Sequence, residues 1–396
     1  MVAKKKEEKE EEEKQPEETK AESKTTETPT KTIGDTLKYI HQKNARIHKE
    51  DNKFRTKLAS EVPNWKFFST GVPSFDAIYG GIPMGKYTVI YGGKNSGKTT
   101  LAYKIIASAQ KLGLRTILYP AENVFDKLYA GINGVDLDNL IIGEDFLLGK
   151  TGDEMIELVE GDRIDLIVID SLTMLLPEEM DKKKAEEDDM ALDARRITRI
   201  LKKMTPYLNL SNTAIVLIAQ IRDDIGASST MRIESFGGGN ALKHMASYII
   251  RTRPTPKSYL RAGGQFMTEL NLRSYSAVCE KSKSILVREG PHNSTETPFM
   301  FFGYAGLDME RTLFEYALGE KIIERSGAKY SFITKEKGKE KEISATGEVN
   351  FIELIRNDKS AFNSLADRVW EKRINLVSER TRIPKENILG NIEILK

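Results

Sequence analysis

The stretch that decides the fold runs from Tyr91 to Thr100 and reads YGGKNSGKTT. It satisfies the spacing G-x-x-x-x-G-K-[ST], which is the pattern of a phosphate-binding loop. Glycines allow the tight turn in which successive backbone N–H groups point at one anion. A β-rich run over residues 87–91 precedes the loop and a helical pattern over residues 98–112 follows it. The positive end of the helix dipole would face the same anion, so we predict a nucleoside triphosphate site.

Two side chains of this loop have expected roles of their own. Lys98 would reach the β- and γ-phosphates of ATP, and the Thr99 hydroxyl would ligate Mg²⁺. The residues that we expect to contact the nucleotide here are Gly92, Gly93, Lys94, Asn95, Ser96, Gly97, Lys98, Thr99 and Thr100. The alternative is a turn that matches the motif by chance, and the strand before it and the helix after it argue against that alternative.

Length and composition narrow the class of protein. The chain has 396 residues, of which 39% are hydrophobic and 30% charged, enough for two or three domains with a large core. The single cysteine, Cys279, excludes an intramolecular disulfide and fits a reducing, cytoplasmic interior. No apolar stretch approaches the length of a membrane span, so we expect no membrane partner. The net charge is only +2, so any DNA binding must come from local patches.

The beginning of the chain differs in composition from the rest. Residues 1–32 are rich in Lys, Glu, Thr and Pro and have almost no large apolar side chains, which predicts a disordered charged tail. From Ile33 to Ile47 apolar residues fall along one helical face. That face must be buried either on a neighbouring subunit or on the chain's own core. We assign residues 33–66 to an N-terminal oligomerisation helix and a linker.

Strand and helix patterns alternate over residues 67–305, as they do in a mostly parallel sheet flanked by helices. After the phosphate loop, the predicted strands are residues 115–119, Leu166–Ile169 and 214–219, and the predicted helices are residues 153–160 and 191–208. The fold class is therefore α/β, with a phosphate-loop NTPase core. Ligands of such sheets bind at the carboxyl ends of the strands, where this loop lies. Residues 306–396 would form a small C-terminal α+β domain.

Three polar residues end or follow predicted strands at the same edge of the sheet. Asp170 ends the Leu166–Ile169 strand, where a carboxylate would hold Mg²⁺ directly or through water, with a helix cap as the alternative. Glu122 would orient and deprotonate the attacking water, although an isolated glutamate at a strand end is usually only solvated. Gln220 would sense the γ-phosphate through its amide, and the residues alone leave that role open.

These motifs belong to a longer pattern, over residues 67–330, that resembles the RecA family of homologous-recombination ATPases. The matches begin with GIPMG at residues 81–85 and the SGKTT end of the phosphate loop. They continue with NGVDLDNL at residues 133–140, the SNT and QIR triplets within residues 208–226, and GGNALK at residues 238–243. A phosphate loop alone would indicate only a broad superfamily, whereas this set in this order is specific.

The resemblance implies a DNA recombinase that forms a helical filament, a homo-oligomer, on single-stranded DNA. Such a filament pairs with homologous double-stranded DNA and exchanges strands, with DNA-stimulated hydrolysis of ATP in the presence of Mg²⁺. The resemblance also implies that Glu122 is the catalytic glutamate and that Asp126 and Tyr129 contact the adenine, with the Tyr129 ring stacked on it. Gln220 would couple the γ-phosphate to a DNA-binding loop.

Lys281 and Lys283 look like the paired lysines that, in this family, reach the ATP of the adjacent subunit. Composition alone would place them on a solvated strand face. Positive charges supplied by a neighbour would explain why hydrolysis requires assembly, because groups of the arginine-finger type contribute about 10³–10⁵ in rate. The resemblance therefore implies that each ATP is shared between two subunits.

The resemblance also implies two DNA-binding loops, over residues 178–190 and 221–240. The helix after the first loop has a basic face, which would meet phosphates or would otherwise be only solvated. Two apolar side chains would enter gaps between base triplets. The expected DNA contacts are Met190, Arg195, Thr198, Arg199, Lys202, Arg222, Ile225, Gly238, Gly239 and Asn240.

The chain departs from the family pattern at several positions. Acidic residues occur in both loops, at residues 186–189 and at Asp223 and Asp224, which puts the DNA affinity and its salt dependence in question. His244 replaces an aromatic that relays between subunits. We expect this histidine to be buried, with a pH-sensitive relay as the alternative. The acidic tail is at the N-terminus rather than the C-terminus. These departures indicate a divergent member, and a phage-encoded copy would fit them.

Two other functions stay open on the sequence. A hexameric helicase or a clock-type ATPase could have the same core, although the QIR triplet at residues 220–222 and the paired lysines argue against it. The second alternative is a non-catalytic accessory that binds ATP and loads another recombinase. The presence of Lys98, Asp170 and Glu122 argues against an accessory role.

Overall fold

The structure is a computed structural model. It describes residues 32–47, 56–122, 125–144, 147–172, 190–223, 234–236, 239–255, 273–284, 286–287, 299–303, 305–336, 339–390 and 392–395. The chain divides into two compact units, Met1–Val62 and Pro63–Lys396. Apart from Thr32, the tail predicted over residues 1–32 lies outside the described residues.

The first unit contains the predicted helix, α1 (Ile33–Ile47). The helix begins where it does because Thr32 and Asp35 cap it. The Thr32 backbone N–H donates to the Asp35 carboxylate (3.1 Å), and the Asp35 N–H donates to the Thr32 hydroxyl (3.2 Å). Ile33 and Tyr39 are 72% and 64% exposed, so α1 presents large apolar side chains to solvent.

The second unit contains the strands and the remaining helices. The strands are β1 (Trp65–Phe68), β2 (Ile82–Pro83), β3 (Tyr87–Gly92), β4 (Thr116–Tyr119), β5 (Leu140–Ile142), β6 (Leu166–Ile169), β7 (Ala214–Asp223), β8 (Glu234–Phe236), β9 (Tyr248–Pro254), β10 (Arg273–Ser282), β11 (Phe299–Gly303), β12 (Gly306–Leu307), β13 (Glu324–Ser326), β14 (Lys329–Glu336), β15 (Lys339–Thr346) and β16 (Ile392–Leu395). The helices are α2 (Pro73–Tyr79), α3 (Lys98–Lys111), α4 (Lys127–Ile132), α5 (Leu148–Glu160), α6 (Met190–Leu208), α7 (Gly239–Met245), α8 (Met309–Gly319), α9 (Glu348–Asn357), α10 (Lys359–Thr381) and α11 (Lys385–Gly390). Among the described helices, none combines the length and the apolar composition that crossing a bilayer requires.

The main sheet has the strand order β12-β11-β10-β9-β3-β7-β6-β4-β5, and β8 pairs with β7. The run from β9 through β3, β7, β6 and β4 to β5 is parallel throughout. Strands β10, β11, β12 and β8 are added antiparallel. The predicted α/β class with a mostly parallel sheet is confirmed. Because β3 lies between β9 and β7, the phosphate loop leaves from the middle of the sheet.

Both faces of the sheet are buried. In β6, Leu166 and Val168 belong to one hydrophobic cluster, which also includes apolar residues of α2, α3 and α8. Ile167 and Ile169 belong to the other, with apolar residues of α5 and α6. Successive side chains of a strand point to opposite faces, so the continuous apolar run read from the sequence reflects helices on both sides.

Helix α5 is longer than the sequence pattern indicated. It begins at Leu148, whereas the predicted helix covers residues 153–160. Gly152 lies inside it, and a glycine inside a helix lowers helix propensity. A Cβ atom at Gly152 would be only 2.7 Å from Cδ1 of Ile200 on α6. The glycine therefore permits close packing of α5 against α6, and tertiary contact outweighs the local preference.

The C-terminal part combines strands and helices, as predicted. Strands β13, β14 and β15 form a separate antiparallel sheet, and the charged segment at residues 335–341 is the β14–β15 connection with its flanks. Phe314 of α8 packs against Tyr330 of β14 and Phe351 of α9, with ring centroids 5.3 and 5.6 Å away. At the end of the chain, β16 pairs in parallel with β1, the first strand of the same unit.

Candidate nucleotide-binding site

The phosphate loop leaves β3 at Gly92 and enters α3 at Lys98. Gly92 lies so close to β9 that a Cβ atom there would clash with the carbonyl oxygen of Thr252. Gly97 has φ +82° and Asn95 has φ +54°, both in the left-handed region that glycine adopts freely and asparagine tolerates. The loop therefore imposes backbone requirements that these residue types meet.

Lys98 is the buried cation of this loop. It is only 9% exposed, and its ammonium donates hydrogen bonds to the carbonyl oxygens of Gly92 (3.1 Å) and Gly93 (2.7 Å). Burial lowers the pKa of Lys98, while the carboxylates of Asp170 and Glu122 oppose that shift. The loop backbone thus holds the lysine head within the electrostatic reach of both predicted acidic residues.

Thr99 and Asp170 meet beside the loop. The Thr99 hydroxyl donates a 2.7 Å hydrogen bond to Oδ2 of Asp170, which directly follows β6. Burial raises the pKa of the Asp170 carboxyl, and this hydrogen bond opposes the shift. A hydroxyl and a carboxylate are the hard oxygen ligands that Mg²⁺ prefers. Within the described ranges no cluster of three or more His, Cys, Asp or Glu residues could hold a metal, so Mg²⁺ would also need phosphate and water oxygens.

Glu122 and Gln220 meet across β6. Gln220 Nε2 donates a 2.5 Å hydrogen bond to Oε1 of Glu122, and the Glu122 backbone N–H donates to the Asp170 carbonyl oxygen at 3.2 Å. The sequence pattern indicated that Gln220 ends its strand, and this prediction is wrong. Strand β7 continues to Asp223 because β8 pairs with its last residues. Gln220 is instead the register partner of Gly92, opposite the start of the phosphate loop.

One cavity of about 850 Å³ brings most of these side chains together. The predicted residues that line it are Lys94, Asn95, Ser96, Gly97, Lys98, Thr99, Thr100, Glu122, Tyr129, Asp170 and Gln220. Of the described residues predicted to contact the nucleotide, Gly92, Gly93 and Asp126 lie outside this lining. The cavity therefore joins the phosphate loop, both carboxylates and an aromatic ring at the carboxyl edge of the sheet.

Three residues of the lining were not predicted from the sequence: Arg273, Tyr275 and Gly303. They come from β10 and β11, the antiparallel strands beyond β9. Burial raises the pKa of Tyr275, and the charge of Arg273 opposes that shift. The alternation of a strand indicates that residues 273 and 275 share one face. No spacing in the sequence indicates that this face meets the phosphate loop.

Asp126 and Tyr129 lie at the start of α4. Oδ1 of Asp126 accepts a 3.0 Å hydrogen bond from the Tyr129 backbone N–H, so Asp126 is the N-cap of this helix. The Tyr129 hydroxyl is 2.7 Å from the Thr100 hydroxyl, and its ring lies 6.1 Å from that of Tyr103. Asp126 thus has a structural role as a helix cap. The adenine contacts of Asp126 and Tyr129 stay predictions.

Lys281 and Lys283 do not line the cavity of their own chain. The Lys281 ammonium donates to the carbonyl oxygens of Lys243 and His244, the latter at 3.0 Å. The Lys283 ammonium donates to the carbonyl oxygens of His244 (2.9 Å) and Met245 (3.1 Å). Both lysines thus bind the last carbonyl groups of α7, a position that favours cations at a helix C-terminus.

His244 is exposed, so the expectation of a buried histidine is wrong. The reason is the orientation of α7, which is only two turns long. Leu242 and Ala246 are fully buried in the hydrophobic cluster under α5 and α6. With these two residues turned inward, the intervening His244 side chain is left on the solvent side.

The basic face predicted for DNA contact is present on α6. Arg195, Arg199 and Lys202 are exposed along one side of this helix, and Thr198 is half-buried beside them. The opposite side of α6 supplies buried apolar residues to the core. The exposed face carries three positive charges within two turns, and its contact with DNA stays a prediction.

The remaining predicted DNA contacts fall mostly at the limits of the described residues. Met190 begins α6, Arg222 lies on β7, and Gly239 and Asn240 begin α7. Ile225 and Gly238 lie outside the described residues, as do residues 178–189 of the first predicted loop. Of the second predicted loop, residues 221–240, the structure describes both ends and strand β8.

Comparisons with known proteins agree with this arrangement. The family model of the RecA N-terminal domain matches residues 43–268. Protein RecA of Ureaplasma parvum serovar 3 is 32% identical over 328 residues, which cover 81% of this chain and 90% of that protein. Protein RecA of Thermus aquaticus is 31% identical over 337 residues, 82% of this chain and 93% of that protein. Protein RecA of Clostridium novyi is 30% identical over 332 residues, which cover 82% of this chain and 88% of that protein.

The match is broad but the identity is modest, which confirms the expectation of a divergent member. The family model alone covers more than half of the chain, and each of these relatives is covered over most of its own length. The phosphate loop, the carboxylates that surround it and the parallel strands of the main sheet lie within residues 43–268, which the family model matches. The chain belongs to the RecA family of recombinases.

Proposed function

We propose that this recombinase is a DNA-dependent ATPase whose nucleotide lies in the cavity at the phosphate loop, with Mg²⁺ at Thr99 and Asp170. One observation carries the proposal: Lys98, the Thr99–Asp170 pair and the Glu122–Gln220 pair converge on a single cavity. Each of these residue types has a recognised part in phosphoryl transfer. A turn that matched the motif by chance would not have these partners around it.

Lys98 and the loop backbone would bind the phosphates, since they supply positive charge and N–H donors at a helix N-terminus. Bound Mg²⁺ would neutralise charge that develops on the β- and γ-phosphate oxygens. Glu122 would orient the attacking water and accept its proton. In the structure Glu122 is held by Gln220 at 2.5 Å, so the glutamine is placed to control when the carboxylate is available.

Gln220 also connects the cavity to the predicted second DNA loop. It lies on β7, and the three residues that directly follow it pair with β8. The pairs are Ile221 with Phe236, Arg222 with Ser235, and Asp223 with Glu234. A displacement of this ribbon by DNA would move Gln220 relative to Glu122. We infer that single-stranded DNA stimulates hydrolysis in this way.

Assembly into a helical filament would complete the site. Lys281 and Lys283 do not line the cavity of their own chain. On the family resemblance, we propose that they act in the site of the adjacent subunit. Large apolar side chains are exposed on α1, on α4, where Leu128 and Ile132 are 76% and 43% exposed, and on the edge strand β5, where Ile141 is 55% exposed. We propose that α1 of one subunit packs on the β5 edge of the next, because burial of both faces would be favourable.

DNA would bind along the filament through the basic face of α6 and the two predicted loops. The predicted core, residues 67–305, would hold single-stranded DNA, and the C-terminal region, residues 306–396, would capture double-stranded DNA for pairing and strand exchange. A cytoplasmic location, where DNA and ATP are both available, goes with this function. The acidic residues of both loops would repel phosphates, so we expect a lower DNA affinity and a weaker decline of that affinity with salt.

The shared site is tested by the double variant Lys281→Ala, Lys283→Ala. We expect DNA-stimulated ATP hydrolysis to fall by about 10³ or more, since charges supplied by a neighbour contribute about 10³–10⁵. ATP hydrolysis with and without single-stranded DNA is measured alongside electron micrographs of the same mixtures. A control variant, Lys111→Ala with Lys359→Ala, removes two exposed lysines outside the cavity and should behave as the unaltered chain. Full DNA-stimulated turnover in the Lys281, Lys283 variant would exclude the shared-site mechanism.

A further inference from the structure

Three polar side chains from neighbouring strands meet next to the phosphate loop. Tyr91 on β3 directly precedes Gly92, and Arg251 is its register partner on β9. The Tyr91 hydroxyl donates a hydrogen bond to Oε2 of Glu280 on β10. Nη1 of Arg251 is 3.9 Å from Oε1 of the same carboxylate. Strand β3, which begins the phosphate loop, is thus bonded across β9 to the strand that carries the paired lysines.

Glu280 occupies an irregularity in that strand. Cys279 pairs with Ile250 and Lys281 pairs with Ile249, so Glu280 is the extra residue of a β-bulge. A bulge bends its strand and re-aims the side chains that follow it. Tyr91 therefore holds Glu280, the bulge residue that sets the direction of the Lys281 side chain.

The Tyr91 ring has a second partner. It lies 4.8 Å from the ring of Phe236, the last residue of β8, and the Lys243 ammonium lies 5.6 Å from that same ring. Strand β8 pairs with the end of β7, beyond Gln220. Burial raises the pKa of Tyr91, as does the negative charge of Glu280, so its hydroxyl remains a hydrogen-bond donor at neutral pH. One side chain thus contacts the strand of the lysines and a strand of the second predicted DNA loop.

We propose that Tyr91 and Glu280 are positioning residues that fix Lys281 and Lys283 relative to the phosphate loop of their own chain. This inference rests on the proposed action of the two lysines on the neighbouring nucleotide. Because Tyr91 adjoins Gly92, a change in the loop on nucleotide binding reaches the lysines that this subunit presents to the next one. The Tyr91–Glu280 contact therefore makes ATP hydrolysis cooperative between successive subunits.

The test compares two substitutions on the same strand. Tyr91→Phe removes the hydroxyl and keeps the ring on Phe236. Tyr87→Phe is the matched control, because Tyr87 lies on the same face of β3 and its buried hydroxyl donates a 3.0 Å hydrogen bond to the Leu201 carbonyl oxygen. Both variants lose one buried hydroxyl, and that of Tyr87 also lies 3.5 Å from the Thr205 hydroxyl, so the control loses at least as many hydrogen bonds. Only Tyr91→Phe separates β3 from the bulge at Glu280.

We expect Tyr91→Phe to lower kcat for DNA-stimulated ATP hydrolysis about tenfold, the equivalent of one hydrogen bond to a charged group. KM for ATP should stay unchanged, and the Hill coefficient for ATP should fall toward one. Glu280→Gln, which keeps the acceptor and removes the charge, should give a smaller decrease. The effects of Tyr91→Phe and Glu280→Ala should not add in the double variant, since either one breaks the same contact.

An unchanged kcat and Hill coefficient in Tyr91→Phe would overturn the inference. An equal decrease in Tyr87→Phe would also overturn it, because the effect would then reflect only the stability of β3. The Lys281, Lys283 double variant separates this failure from that of the proposed function. If that variant loses stimulated turnover while Tyr91→Phe does not, the positioning role alone is wrong. If that variant retains full turnover, the shared site itself is wrong.

Discussion

Strand β6 has an aspartate at each end, and the two carboxylates have opposite surroundings. Asp165, before the strand, accepts hydrogen bonds from Arg115 through its backbone N–H (2.8 Å), Nε (2.8 Å) and Nη2 (3.0 Å), and these bonds hold its pKa below the usual value. Asp170, after the strand, accepts a hydrogen bond from the neutral Thr99 hydroxyl, and burial raises its pKa. The amino edge of the sheet therefore neutralises its carboxylate with a bound guanidinium, whereas the charge of Lys98 and the Thr99 hydroxyl offset the burial of Asp170 only in part.

The different surroundings distinguish Asp165, a structural carboxylate, from Asp170, a carboxylate that can bind a ligand. A fixed guanidinium satisfies Asp165, so nothing further is needed for that residue to remain ionised. Asp170 is ionised at a cost, because desolvation disfavours its charge and a hydroxyl compensates only in part. A divalent cation bound with the nucleotide would recover that cost. If function is confined to the carboxyl edge, substitutions there should change turnover, and substitutions at the amino edge should change only stability.

The largest effect of a single substitution is expected at Lys98, the cation of that edge. Lys98→Ala should lower DNA-stimulated ATP hydrolysis by about 10²–10³, as the loss of one preorganised donor at a developing charge does in other enzymes. Stability should change little, because the loop carbonyls that Lys98 binds can be hydrated. Turnover is measured against Lys111→Ala, a substitution at the exposed far end of the same helix. Normal hydrolysis by Lys98→Ala would disprove the assignment of the phosphate loop.

The next effect concerns Mg²⁺. Asp170→Asn keeps the shape of the side chain and removes its charge, so we expect the Mg²⁺ concentration for half-maximal hydrolysis to rise about 10- to 100-fold. Excess Mg²⁺ should restore part of the activity. Asp165→Asn is the matched control, with the same change at the other end of β6. If both variants shift the Mg²⁺ dependence equally, the contrast between the two edges is wrong.

Much of the carboxyl edge could be predicted because its determinants are local. The phosphate loop needs only glycine, lysine and threonine at fixed spacing, and an apolar run followed by Asp170 predicts a buried strand with a carboxylate at its end. Glu122 follows its strand in the same way. The parallel order of the sheet then places these ends together. The sheet and the cavity at its edge are therefore encoded in short segments.

Other parts of the site depend on pairing between distant segments, which no local pattern reports. The extension of β7 beyond Gln220 follows from its pairing with β8. Arg273 and Tyr275 reach the cavity only because β10 is added antiparallel beyond β9. The contact of Tyr91 with Glu280 needs the bulge in that added strand. A single sequence indicates such strands but not which face of which neighbour they meet.

The smallest effect is expected for Asp165 at the amino edge, where a substitution should change the free energy of unfolding and not the turnover. Asp165→Asn should lower the free energy of unfolding by about 1 kcal/mol at pH 7, a value that allows for screening of the half-exposed Arg115. Urea denaturation measures it, and turnover of the folded protein should be unchanged. A loss of turnover without a loss of stability would place function at the amino edge as well.

The pH dependence of the stability of Asp165→Asn sharpens the contrast, because the pKa shifts of the two aspartates have opposite directions. The folded pKa of Asp165 is lowered, so its contribution is present above the unfolded pKa of about 4 and is lost as the pH falls through the folded value. The difference in the free energy of unfolding between the unaltered chain and Asp165→Asn should therefore shrink in acid.

The folded pKa of Asp170 is raised, so its ionisation destabilises the nucleotide-free protein at neutral pH. Asp170→Asn should then unfold at a slightly higher urea concentration than the unaltered chain at pH 7, and an advantage that persisted below pH 4 would contradict this account.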